Sequence, residues 1–400
     1  MRTPRFAPRS GQILPFTAIS MMTLLLFVGM GIDYGFVYLV RADLSKSVDA
    51  AALAGIRNVR VGRSQAQQVA ESTFAANYES SSSAGRNPAE PFFAADVRRD
   101  ASDNTLVTVD AAVDVRTFFL GILPAMRTMR VTAHAETIRP KMIVSMVLDR
   151  SGSMLRNGGA AALPDAVTTF LDYFDDGIDR VSLTSFASAA SIDVALARPF
   201  KGRVGAALTR LVFNGYTASE QGVVSGFNEA RRVRTLPDEE VVKSLVFFTD
   251  GLANTFEVPL DCGDRNLSTG LTLYDPRTGD ADGDGCTIPA SLVSVDASVV
   301  ATGDPCAMQE EAEKRTEAAA RQARRDGIYV YAVALGGRNP GLCGRETVNV
   351  PFLQRVANDP ASTTYDINEP VGAVAVAETA GQLDRVFGEI AQMVLYRLRQ

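Results

Sequence analysis

Asp149, Ser151 and Ser153 form an Asp-x-Ser-x-Ser stretch directly after the apolar run 142–148. The spacing puts one carboxylate and two hydroxyls on a tight loop at the end of a predicted buried strand. Hard oxygens converging on one point suit a hard divalent cation, Mg²⁺ or else Mn²⁺ or Ca²⁺. Thr217, in the loop Asn214-Gly215-Tyr216-Thr217, offers a further hydroxyl, and Asp250 closes a second apolar run, 245–249, ahead of Gly251. Serine and threonine ligands are neutral. If the aspartates act largely through water and hydrogen bonds, the ion keeps most of its charge, and an open position on it attracts a carboxylate from a partner.

A second set of oxygens lies at Asp280, Asp282 and Asp284, in the run Asp-Ala-Asp-Gly-Asp-Gly. It fits the opening positions of a calcium loop of the EF-hand type, whose last ligand should be an acidic side chain. Ser291 stands there instead, so Ca²⁺ binding needs another residue, such as Asp275 or Asp296. The alternative is an acidic surface turn. The 4 cysteines are Cys262, Cys286, Cys306 and Cys343, with no Cys-x-x-Cys pair among them. Outside the cytoplasm an even number is read as disulfides. Because the first three lie in one loop region, Cys262–Cys286 and Cys306–Cys343 are the favoured pairings.

Other chemistries lack their residues. His134 is the only histidine and sits in an alternating, strand-like stretch, which leaves no Ser-His-Asp arrangement. No Gly-rich loop ends in Gly-Lys-Ser/Thr, and the serine loop has no lysine for Ser-x-x-Lys chemistry. The expectation is a binding protein, not an enzyme. A net charge of −6 and a pI near 5.1 leave no basic face for nucleic acid.

The elements that must position these residues follow from periodicity. From residue 141 onward strand and helix patterns alternate, which predicts a doubly wound α/β sheet. Strands are expected at 142–148, 180–186, 190–196, 243–249 and 328–335, and helices at 162–174, 204–213, 220–233, 308–326 and 382–398. Ligands of such sheets bind at the carboxyl ends of the strands, where Asp149 and Asp250 lie. Residues 253–305 form a long insertion that leaves this same face, a candidate lid or recognition surface. Upstream, a helix at 43–56 is expected to continue the apolar segment 10–32 outward, and a helix at 64–77 with strands at 105–115 and 130–138 predicts a small α/β module over 61–140, with a flexible loop at 79–90; the alternative is a stalk.

The five residues Asp149, Ser151, Ser153, Thr217 and Asp250, in this order on this strand pattern, resemble a von Willebrand factor type A domain with a metal-ion-dependent adhesion site. The resemblance covers 141–400. It implies a Rossmann-like fold, Ser151, Ser153 and Thr217 as direct ligands, Asp149 and Asp250 as ligands or water-mediated holders, and a protein ligand that offers an acidic residue. The alternative is a fold of this type in which the same residues only cap loops.

Residues 10–32 carry no charge, about the 20 residues a membrane-spanning helix needs. Arg2, Arg5 and Arg9 precede them, so the N-terminus is expected in the cytoplasm and the bulk of the chain in the periplasm or outside the cell. The apolar core is too long for a signal peptide, and the small-x-small site Ala52-Leu53-Ala54 is too far downstream. Gly11, Asp33-Tyr34-Gly35 and the run 49–55 resemble the N-terminal region of TadG-like proteins of the bacterial tight-adherence (Flp) pilus system. This resemblance covers about the first 60 residues and implies a single-pass inner-membrane protein. Prepilins of that system have a glutamate five residues after the processing glycine. Phe16 stands there instead, which speaks against such processing. The leading expectation is an anchored adhesion or assembly protein that grips a pilus or surface component. A minor pilin-like component displaying the domain on a filament is the alternative, and a chelatase-type enzyme subunit the least supported.

Overall fold

The computed structural model describes residues 13–79, 90–101, 104–233, 240–259, 271–274, 305–336 and 348–396. These fall into two compact units, residues 1–139 and 140–400.

The first unit is built on one long helix, α1 (Ile13–Asn58). Its first half exposes apolar side chains from Phe16 to Ile32. In its second half Val40, Leu44, Val48, Ala52 and Ile56 recur every four residues and are buried. They pack on α2 (Arg63–Glu79), through Ala66, Ala70 and Phe74, and on a three-stranded antiparallel sheet. That sheet has the order β1 (Phe92–Arg99), β2 (Thr105–Arg116), β3 (Thr128–Arg139). Sequence periodicity missed β1, an edge strand whose side chains are mostly exposed, so its apolar alternation is weak. His134 lies on β3 with Nδ1 2.8 Å from Asp110 Oδ1, both largely exposed.

The second unit holds a six-stranded sheet. Its strands are β4 (Lys141–Asp149), β5 (Arg180–Phe186), β6 (Ala190–Ala197), β7 (Val241–Thr249), β10 (Tyr329–Leu335) and β11 (Val374–Ala377). They run in the order β11-β10-β7-β4-β5-β6. All neighbours pair in parallel except β5 and β6. The central strands are largely buried on both faces, which is why they read as near-continuous apolar runs.

Three helices, α4 (Gly159–Leu171), α5 (Lys201–Leu208) and α9 (Leu383–Tyr396), fill the core on one face. On the other lie α6 (Ser219–Arg231), α7 (Pro305–Arg325) and α8 (Val350–Ala357). The doubly wound α/β architecture expected from the alternation is therefore present. The chain leaves β4 for β5 on one side and later places β7 on the other, so the carboxyl end of β4 is a topological switch point.

Several boundaries differ from the periodicity reading. The helix expected at 162–174 begins earlier, at Gly159, whose N–H is accepted by the Asn157 carboxamide at 2.9 Å. The helix expected at 204–213 runs instead over Lys201–Leu208, because Asp176 accepts the N–H groups of Phe200 and Lys201 at its start. Two short elements, α8 and β11, were not anticipated. Eight and four residues are too few for a period to show.

Within the insertion expected at 253–305, β8 (Phe256–Pro259) pairs antiparallel with β9 (Leu271–Tyr274). The calcium-loop residues Asp280, Asp282 and Asp284, and also Cys262, Cys286 and Cys343, lie outside the described residues. Cys306, at the start of α7, is disulfide-bonded.

Candidate metal centre

Strand β4 ends at Asp149 and β7 at Thr249, and the register Leu148 to Phe248 brings the two ends side by side. Asp149 is fully buried. One of its oxygens accepts the Ser151 N–H at 2.8 Å, folding the serine loop back on itself, and the other accepts the Thr249 hydroxyl at 2.7 Å. Both carboxylate oxygens thus hold backbone and neighbour in place.

Asp250 gathers the remaining groups. Its Oδ1 accepts the Ser153 hydroxyl at 2.7 Å and lies 3.5 Å from the Ser151 hydroxyl. The two serine oxygens are 2.9 Å apart. Its Oδ2 accepts the Asn157 amide at 2.6 Å. Ser151 and Asp250 are buried, whereas Ser153 is partly exposed, so the cluster opens toward solvent at Ser153.

Thr217 arrives from a third loop. Gly215 accepts the Gly152 N–H at 3.1 Å, and its φ of +82° suits a residue without a Cβ. An added Cβ would also press on Ser188 Oγ at 2.6 Å. The Thr217 backbone is fastened to the segment after β7, its N–H donating to Asn254 Oδ1 at 2.8 Å and its carbonyl accepting the Asn254 N–H at 3.2 Å. Thr217 is buried, and its hydroxyl makes no hydrogen bond to Asp149, Ser151, Ser153 or Asp250. Four of the five expected residues therefore form one hydrogen-bonded network, and the fifth sits in the loop braced against it.

The electrostatics call for a positive charge. Burial, then the Asp250 charge, push the Asp149 carboxyl up to about 7. Burial also raises Asp250, against the hydrogen bonds from Ser153 and Asn157. Neither carboxylate forms an ion pair among the described residues. The nearest basic residue in sequence, Arg150, turns its guanidinium to Ser185 Oγ and the Val212 carbonyl. Two adjacent buried carboxylates without a basic partner, lined by hydroxyls, fit a divalent cation. Thr249, Asn157 and Asn254 were not singled out from the sequence. Only the adjacency of Thr249 to Asp250 hinted at its part.

Two family models match the chain. Residues 144–252 match the family model for the von Willebrand factor type A domain. The chain carries a von Willebrand factor type A domain. Ahead of it, residues 11–76 match the model for Flp pilus-assembly TadE/G-like segments. The A domain here therefore follows a pilus-assembly type of N-terminal region on one chain.

Curated proteins give no match. Among solved structures, the PilB minor pilin from Streptococcus sanguinis is similar at 14% identity and a TM-score of 0.43, over 78% of this chain and 79% of that one. The pilus adhesin SpaC from Lactobacillus rhamnosus GG is similar at 14% identity and a TM-score of 0.43, over 77% of this chain but only 34% of its own length. Proximal thread matrix protein 1 from the mussel byssus, with a zinc-occupied adhesion motif, is similar at 15% identity and a TM-score of 0.37, over 64% of this chain and 46% of that one.

Proposed function

We propose that the A domain binds a divalent cation, Mg²⁺ or else Mn²⁺ or Ca²⁺, at Ser151, Ser153, Asp250 and Thr217. Asp149 shapes the loop and adds negative charge behind the ion. The observation that carries this reading is the pair of buried, uncompensated carboxylates facing two hydroxyls at the switch point of the sheet. The cation would supply one Lewis-acidic position for an outside carboxylate. The serine and threonine hydroxyls would hold it without cancelling its charge. The partner is then a protein with an exposed acidic residue, and the TadE/G-like segment favours a pilus or surface component. A site of this kind binds and does not turn over a substrate.

The apolar first half of α1 is long enough to cross a membrane, by length and composition. With the N-terminal arginines inside, the A domain would face the periplasm or the exterior of a bacterial inner membrane. Cys306 would pair with Cys343 in that oxidising space. The proposal is tested on the full chain in detergent. Mg²⁺, Mn²⁺ and Ca²⁺ are titrated calorimetrically into the native protein and into Asp250→Asn. Saturable heat in the first and none in the second supports the site, and equal heat in both overturns it.

A further inference from the structure

Between β2 and β3 the chain runs Phe118-Phe119-Leu120-Gly121-Ile122-Leu123-Pro124-Ala125-Met126 with no charge, bounded by Arg116 and Arg127. This loop faces outward. The Thr117 N–H donates to the Arg127 carbonyl at 3.1 Å and closes its neck. Two short 3-10 turns, Leu120–Ile122 and Pro124–Met126, stiffen it. Yet Phe118 is 63% exposed, Ile122 76% and Leu123 52%, with Phe119 and Met126 also exposed. A contiguous apolar patch of this kind on a loop marks a surface that meets another apolar phase.

What that phase is follows from where the loop is tethered. Asp33 on α1 is 1% exposed and accepts three successive backbone N–H groups, Phe118 at 2.8 Å, Phe119 at 2.9 Å and Leu120 at 2.7 Å. Phe36 meets Phe118 edge-on, at 5.8 Å between ring centroids. One turn toward the N-terminus, Gly29 leaves room for Phe119, whose ring would lie 2.5 Å from a Cβ there. Asp33 is the first charged residue after the apolar run 10–32. At 1.5 Å per residue the twenty residues before it span about 30 Å, the thickness of a bilayer core. The loop is thus docked on α1 where the hydrocarbon ends, and Phe119 reaches about 6 Å further in. Its exposed apolar side chains continue those of Leu24–Ile32 on the helix.

We propose that the loop 118–126 is a membrane wedge, inserted into the lipid interface beside the point where α1 leaves the bilayer. This rests on the reading of α1 as a membrane anchor. Asp33 is then a positioning residue. Its carboxylate is satisfied by the loop's own N–H groups at the edge of the lipid, and in return fixes the loop's depth. Arg116, Arg127 and Arg130 are exposed around the neck, placed for lipid phosphates. The wedge would fix the tilt and rotation of the first unit on the membrane, which one helix alone leaves free.

The chain has no tryptophan, so a single introduced one reports on its own surroundings. Full-length Ile122→Trp, Met126→Trp, Phe27→Trp and Ile367→Trp variants are reconstituted in phospholipid vesicles. Quenching by lipids brominated near the headgroup or near the bilayer centre is compared with quenching by aqueous acrylamide. Expected are deep-lipid quenching at 27, quenching chiefly by the shallow bromines at 122 and 126, and acrylamide quenching alone at 367. If 122 and 126 behave like 367 while 27 is lipid-quenched, the anchor stands and the wedge is overturned. If they are shielded from both lipid and acrylamide, a second copy or another protein covers the loop, and the wedge is again overturned. If 27 too is untouched by lipid, the anchor and the wedge fail together.

Discussion

Ser153 donates a 2.7 Å hydrogen bond to Asp250, a residue 97 positions later in the chain, and this contact joins the ends of β4 and β7 into one site. The serine hydroxyl only partly offsets the charge of the buried aspartate, which is why burial still raises Asp250.

Ser153→Ala should therefore weaken cation binding by about tenfold or more, the worth of one lost ligand at roughly 1.4 kcal/mol per decade. The fold should be retained, since Ser153 is partly exposed and opens α3 (Ser153–Arg156), a helix of four residues. Calorimetry and far-ultraviolet circular dichroism check both halves. Unchanged affinity would remove Ser153 from the ligand set.

Cation binding should stabilise the fold. At a free concentration one hundred times the dissociation constant the gain is about 2.7 kcal/mol. The pH dependence has a definite sign. Burial and the neighbouring Asp250 push the Asp149 carboxyl up to about 7, above its ordinary 3.8. The folded state therefore holds a proton that the unfolded chain has released, and stability falls as pH rises across that window. A bound cation favours the ionised carboxylate, so Mg²⁺ should raise the melting temperature more at pH 8 than at pH 5. Equal shifts at the two pH values would contradict the assignment of Asp149.

Asn157→Ala removes the donor to Asp250 Oδ2 and the acceptor for the Gly159 N–H. A destabilisation of about 1 kcal/mol is expected, together with weaker cation binding, because Asp250 is freed to rotate. Urea unfolding measures the first and titration the second. Loss of stability with affinity intact would limit Asn157 to starting α4.

Gly226→Ala tests the platform beneath the site. A Cβ at this position of α6 would run into the side chain of Val147 on β4, and would sit 3.0 Å from Ser145 Oγ. Overpacking of this kind costs about 1–3 kcal/mol. A shifted α6 would disturb Thr217, which lies two residues ahead of it. Lower thermal stability with weaker cation affinity is expected, and a neutral result would mean that the helix can lift off β4 without consequence.

Much of the site was legible in order along the chain. Asp149, Ser151, Ser153 and Asp250 stand at the ends of apolar runs, and parallel strands buried on both faces leave just such runs. The alternation after residue 141 likewise specified a doubly wound sheet, and the uncharged stretch 10–32 a membrane-length helix. These features are local, carried by periods and spacings of a few residues.

Tertiary structure decided whatever depends on which distant segments become neighbours. The order β11-β10-β7-β4-β5-β6 placed Thr249 against Asp149, and the loop after β7 carried Asn254 to Thr217. Asn157 became a partner of Asp250 only because α4 starts where it does. Asp33, which reads as a mere interruption of an apolar helix, proved to be the acceptor for a loop 85 residues away. A hydrogen bond needs its partner within about 3 Å and aligned, and a linear pattern of residue types does not encode which far segment will meet that condition.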